Sequence, residues 1–164
     1  MAAQAKDYYD TVNVIAIDRR GDIASGVSTS GWLRKYPGRA GDSPGIGAGN
    51  HADNRYGACA CTGYGEMAIC SSTAHSVVLY LKMGLVLPQA SREAMTDLRH
   101  LTVPFPPRTN LVAVDARGRH VAMTHRDRAR SATCPRQGAW RHRPSQRRLV
   151  VALAPGKRLA RRAG

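Results

Sequence analysis

Long apolar runs are missing from this chain. No stretch approaches the roughly 18 residues needed to cross a bilayer as a helix, so a helical membrane span is not expected. Residues 1–10, Met-Ala-Ala-Gln-Ala-Lys-Asp-Tyr-Tyr-Asp, contain no apolar core of the secretory type. No signal peptide is visible, and the default expectation is a cytoplasmic location. Cysteine is sparse: Cys59, Cys61, Cys70 and Cys134 cannot form a disulfide-dense scaffold. A zinc site would want a C-x2-C pair with a second pair or histidine partners. Cys59 and Cys61 are two positions apart and share a strand face, so small buried thiols are the expectation. His75, His100 and His120 form no i, i+4 pair and no dyad with Ser or Cys, and read as satisfied or surface side chains. Acids are few, 11 Asp+Glu against 25 Lys+Arg, for a formal charge of +14.

What is present fits a folded domain. The 164 residues suit one domain of about 100–200 residues, or one with a tail, and 43% of them are hydrophobic. The charge is unevenly spread. Residues 1–124 hold 13 Lys/Arg and 10 Asp/Glu, a net of +3; residues 125–164 hold 12 Lys/Arg and one acid, a net of +11. A basic surplus raises the prospect of an anionic partner. Trp140 is the only aromatic residue in that tail, however, so stacking on nucleic acid would have little to work with, and binding would be non-specific and salt-dependent.

The pattern along the chain alternates strand and helix signals. Val12–Asp18 is rich in β-branched residues and reads as a strand; Arg19–Asp22 is a turn; Ile23, Val27 and Thr29 mark the returning strand of a hairpin. Gly31–Asn54 reads as a long loop with six glycines, and loops of ~20 residues inside a domain tend to be functional. Tyr56–Thr62 is a run of small residues, expected to be a strand buried on both faces. Ala74, Val77, Val78 and Leu81 make one helix stripe within Ser71–Lys82, and Gly84 follows as a C-cap would. Pro88 opens a second helix with Ala90, Ala94, Leu98 and Leu101 on its apolar face. Leu111–Asp115 and His120–Thr124 flank the turn Asp115-Ala-Arg-Gly118. The order ββ, loop, β, αα, ββ predicts an α+β fold with helices on one face of a mostly antiparallel sheet. After His125 periodicity is lost, and an irregular Arg-rich tail is expected over 125–164.

Four segments hold the chemistry-bearing residues: Asp10-Thr11 before the first strand; Ser28-Thr29-Ser30-Gly31-Trp32 at a strand end; Pro37-Gly38-Arg39-Ala40-Gly41-Asp42-Ser43-Pro44 with Gly47-Ala48-Gly49; and Ala60-Cys61-Thr62-Gly63. The Gly45–Gly49 stretch lacks the Gly-Lys-Ser/Thr ending of a phosphate-binding loop. Each segment alone has a plain reading as strand or turn. In this order and spacing they resemble the nucleophile-bearing β subunit of N-terminal-nucleophile asparaginases, the family of the glycosylasparaginases, N4-(β-N-acetylglucosaminyl)-L-asparaginases, and the isoaspartyl peptidase/L-asparaginases. The resemblance covers about residues 8–124.

The resemblance implies half of an αββα sandwich. It divides the chain into a short leader (1–10), a β-subunit-like region (11–124) and the basic tail (125–164). It implies autocatalytic cleavage between Asp10 and Thr11. The freed Thr11 would then supply a hydroxyl nucleophile and, in its α-amine of pKa about 8, the base that activates it. Thr29 would hydrogen-bond Thr11. Arg39 would grip the substrate α-carboxylate and Asp42 its α-ammonium. The Thr62 hydroxyl and Gly63 N–H would form the oxyanion hole. The implied reaction is hydrolysis of asparagine, or of a β-aspartyl or glycosylated asparagine amide, through a β-aspartyl ester, with no metal and no organic cofactor. Only ten residues precede Thr11, so the implied partner is a separate α chain, assembled as (αβ)2. Two other readings stay open: a non-catalytic member or subunit lacking the α chain, and a nucleic-acid binder acting through the tail.

Overall fold

The computed structural model describes residues 10–32, 34–103, 108–126 and 147–153. In chain order the elements are β1 (Asp10–Ile17), β2 (Ile23–Gly31), β3 (Asn50–Asp53), β4 (Gly57–Gly63), α1 (Gly65–Cys70), α2 (Thr73–Lys82), α3 (Leu87–Asp97), β5 (Arg108–Asp115), β6 (His120–Arg126) and β7 (Arg147–Leu153); a short 3-10 turn, Leu98–His100, ends α3. They form two sheets, β2-β1-β7 and β3-β4-β5-β6. All pairs are antiparallel except β1 with β7, which run parallel.

The alternation in β1 decides how the layers stack. Asn13, Ile15 and Ile17 point inward and are buried, while Val14 faces out at 38% exposed. The inward residues meet Ala58, Ala60, Val112 and Val114 of the second sheet. Small residues on β4 let the two sheets approach. The opposite face of β4 and β5, with Cys59, Cys61, Leu111 and Ala113, is covered by Met67, Ala74, Val77, Leu87, Ala94 and Leu98 from the helices. The described residues thus form three layers, helices on sheet on sheet. With both faces covered, β4 is buried from Gly57 to Thr62. No described helix is long and apolar enough to cross a membrane.

The mixed helix-and-sheet class, the two hairpins and the two longer helices match expectation. Three elements do not. β3 lies within the stretch read as a loop; it is four residues with weak strand propensity, held by its pairing to β4. α1 has six residues, too few for a periodic stripe. It is separated from α2 by Ser72, which takes a left-handed φ of 46°. The third is a correction to the irregular tail. Residues 147–153 form β7, paired from Thr11↔Arg147 to Ile17↔Leu153. The apolar run Leu149–Leu153 suits a strand laid against β1 despite the arginines around it. Residues 127–146 and 154–164 lie outside the described residues, as do residues 1–9.

Candidate active site

The site grows from the meeting of the two sheets. At the start of β1 the pairing register slips between Asp10 and Thr11, so Thr11 sits opposite Thr29. Bulges of this kind re-aim side chains and occur beside active sites. The Thr11 and Thr29 hydroxyls are 3.0 Å apart. Thr29 Oγ1 also accepts the Gly31 N–H at 2.9 Å, which fixes its rotamer. Behind Thr11 on the same inward face, buried Asn13 donates from Nδ2 to the Cys61 carbonyl at 2.6 Å. That bond ties β1 of one sheet to β4 of the other, one residue before Thr62, while Asn13 Oδ1 is buried with no hydrogen-bond partner among the described residues. A tie through a buried amide is costly to break, because the carbonyl left behind loses its donor.

Thr62 is the last residue but one of β4 and is 1% exposed. Its Oγ1 accepts from Asn110 Nδ2 at 3.3 Å, and Asn110 Oδ1 accepts from the Thr124 hydroxyl at 3.0 Å. An accepting oxygen keeps its own proton to donate elsewhere. Behind it, Cys61 stays a thiol: its hydrogen bond with Cys59 and its full burial push its pKa well up, and the nearby Asp42 charge adds to this.

The glycine-rich loop delivers the charged residues. Asp42 is 8% exposed. Its carbonyl accepts the Gly45 and Gly49 N–H groups at 3.0 and 3.2 Å. Its carboxylate lies against two glycines: a Cβ at Gly49 would come within 3.1 Å of Oδ2, and one at Gly65 within 2.8 Å of Oδ1. Arg39 is held on three sides. Nε and Nη2 donate to Glu66 Oε1 at 2.9 and 2.6 Å, the guanidinium lies 5.7 Å from the Trp32 ring centre, and Nη1 rests beside Gly41. Trp32 in turn packs on Tyr64, 4.8 Å between centroids.

Thr11, Thr29, Arg39, Asp42, Thr62 and Gly63 all line one cavity of about 200 Å³. Asp10 is placed by its backbone at the bulge. The cavity therefore joins a hydroxyl pair, a buried carboxylate, a guanidinium and a hydroxyl whose proton is directed by an amide. Lys35 also lines it, donating from Nζ to the Ser30 carbonyl at 3.0 Å. Sequence reasoning passed over Lys35, Asn13 and Asn110. Glu66 stands in the first turn of α1, and its carboxylate pairs with Arg39. The signal that could have found Asn13 was an Asn among β-branched strand residues, since a buried amide needs a partner across the core.

Comparison with known proteins gives the family of the chain. The pattern of the family described as Asparaginase matches residues 1–140. Among similar proteins, the N(4)-(Beta-N-acetylglucosaminyl)-L-asparaginase of Elizabethkingia miricola is 42% identical over 87 residues, 53% of this chain and 26% of that protein. The plant-type L-asparaginase of Pyrobaculum calidifontis is 42% identical over 117 residues, 69% of this chain and 37% of that protein. The isoaspartyl peptidase/L-asparaginase of Mus musculus is 40% identical over 89 residues, 54% of this chain and 27% of that protein. The chain belongs to the asparaginase family. It spans about a quarter to a third of the length of these relatives.

Proposed function

We propose that this chain is the nucleophile-bearing part of a β-aspartyl amide hydrolase, with Thr11 as an N-terminal nucleophile once the Asp10–Thr11 bond is cut. The observation that carries the reading is the Thr11–Thr29 hydroxyl pair, 3.0 Å apart, in the same cavity as Arg39, Asp42, Thr62 and Gly63. A free Thr11 amine, with a pKa of about 8, takes the hydroxyl proton, and Oγ1 attacks the side-chain amide carbon of the substrate. The oxygen that becomes negative is met by the Thr62 O–H and the Gly63 N–H. The leaving amine departs with the proton held by the Thr11 ammonium, and water then hydrolyses the β-aspartyl ester to aspartate.

Binding follows from charge. The substrate α-carboxylate meets Arg39 on the face not used by Glu66, and the α-ammonium meets Asp42. Trp32 and Glu66 hold the guanidinium so that little side-chain freedom is lost on binding. The family match favours amide hydrolysis over nucleic-acid binding by the basic tail. A separate α chain and an (αβ)2 assembly belong to the same proposal.

The test is aspartate release from L-asparagine and from a β-aspartyl amide, with and without a co-expressed α half of a relative. Activity that disappears with Thr11→Ala is expected. Activity that survives this substitution overturns the nucleophile.

A further inference from the structure

Along the inward face of β1, Thr11 is followed by Asn13, Ile15 and Ile17. Asn13 is 0% exposed like its aliphatic neighbour Ile15, yet its Oδ1 has no hydrogen-bond partner among the described residues. An apolar side chain of similar shape would avoid that cost. What Nδ2 does accounts for the amide. β3 and β4 pair in register as far as Asn50↔Ala60. One step further the register sets Gly49 opposite Cys61, and the Cys61 N–H donates to the Gly49 carbonyl at 2.7 Å. An antiparallel pair of this kind ordinarily exchanges a second bond, here from the Gly49 N–H to the Cys61 carbonyl. The Gly49 N–H turns instead to the Asp42 and Gly45 carbonyls, at 3.2 and 3.3 Å. The Cys61 carbonyl receives Asn13 Nδ2 at 2.6 Å. We propose that Asn13 is a positioning residue for Asp42: by serving the Cys61 carbonyl it releases the Gly49 N–H to hold the Asp42 turn. The inference rests on the reading of Asp42 as the partner of the substrate ammonium.

The exchange of donors carries the inference. A buried carbonyl stripped of its donor is costly, so loss of Asn13 Nδ2 draws the Gly49 N–H back to Cys61. Asp42 then keeps only the Gly45 N–H, at 3.0 Å. The two backbones are in close contact, since a Cβ at Gly49 would lie 2.7 Å from the Asp42 carbonyl oxygen. A turn of the Gly49 peptide therefore moves Asp42. Asn13 stands two positions after Thr11 on β1. One side chain thus sets the strand that bears Thr11 against the residue that orients the substrate.

Through-hydrogen-bond couplings in nuclear magnetic resonance spectra of the full chain identify each donor with its acceptor. In the wild type, Asn13 Nδ2 should couple to the Cys61 carbonyl and the Gly49 nitrogen should not. In Asn13→Leu, close in shape but without a donor, the Gly49 nitrogen should couple to the Cys61 carbonyl. L-aspartate and succinate, which lacks the ammonium, separate positioning from a general loss of structure. Asn13→Leu should bind L-aspartate about tenfold or more weakly, and succinate within about twofold of the wild type. Asn13→Val, which also lacks a donor, should behave alike and serves if Asn13→Leu does not fold. Gly49 coupled to Cys61 in the wild type, a folded variant without that coupling, or equal weakening of both ligands overturns the proposal. A wild type that binds the two ligands alike faults the Asp42 assignment itself, and the proposal then falls even with the wild-type coupling in place.

Discussion

Gly65 is a sharp point at which to perturb the site. A Cβ there would lie 2.8 Å from both the Asp42 backbone nitrogen and Oδ1, and 3.2 Å from the Gly41 Cα, where ordinary contact begins at 3.4 Å. Asp42 must therefore retreat by about 0.6 Å. It cannot do so freely, because its carbonyl is held by two loop N–H groups. Overpacking of this kind costs about 1–3 kcal/mol, offset by up to ~1 kcal/mol because alanine is the better helix residue. The net destabilisation of Gly65→Ala is then ~0–3 kcal/mol, at most a few degrees in thermal midpoint for each kcal/mol in a chain of this size. The effect on function should be larger, since a displacement of about 1 Å in a binding group can cost ~10²-fold. Thermal unfolding and kcat/KM for L-asparagine, measured beside Gly26→Ala, separate the two effects. Gly26 is on an open strand face with nothing within 4 Å of a Cβ, so its substitution should leave activity unchanged and raise stability by ~0.5–1 kcal/mol. Gly65→Ala with kcat/KM within twofold of wild type would refute the assignment of Asp42 to the substrate ammonium.

Other expectations follow from the same geometry. Glu66→Gln loosens Arg39; the pair is partly exposed, so the cost should be ~0.5–1 kcal/mol, read as a two- to fivefold rise in KM with kcat nearly unchanged. Thr62→Ala should lower kcat by ~10²–10³-fold, and Asn110→Ala by about tenfold, since the hydroxyl remains but loses its donor; steady-state kinetics checks both. Asp18 caps the β1–β2 turn by accepting the Arg20 and Asp22 N–H groups at 2.8 and 2.9 Å. The Asp22 N–H chiefly holds its carboxyl below the ordinary value. A lowered folded pKa means a contribution fully present above the unfolded value of about 4 and lost as pH falls through the folded one. Urea midpoints between pH 5 and 2 should therefore fall less steeply for Asp18→Asn than for the wild type.

Much of the framework was legible from local pattern. β1 and β2 alternate, β4 is a run of small residues, and α2 shows an i, i+3, i+4, i+7 stripe that the structure buries at Ala74, Val77 and Val78. What escaped is short or non-local. Four residues of β3 and six of α1 cannot display a period. β7 is masked by Arg147 and Arg148, and only its pairing with β1 makes it a strand. The site divides along the same line. Thr11, Thr29, Arg39, Asp42, Thr62 and Gly63 stand in motifs readable in the chain. Asn13 and Asn110 each act on a partner 48 residues away, across sheets or across a strand pair, and Glu66 reaches 27 residues back to Arg39. Those distances close only in the folded chain.

The central claim is that Thr11 becomes a free N-terminal nucleophile. The direct measurement is the mass of the purified chain before and after incubation with L-asparagine, with and without a co-expressed α half. A species beginning at Thr11 that gains the mass of a β-aspartyl ester on acid quench is expected, and neither species in Thr11→Ala. A chain that stays uncut at Asp10–Thr11 in both settings, yet still releases aspartate, would contradict it.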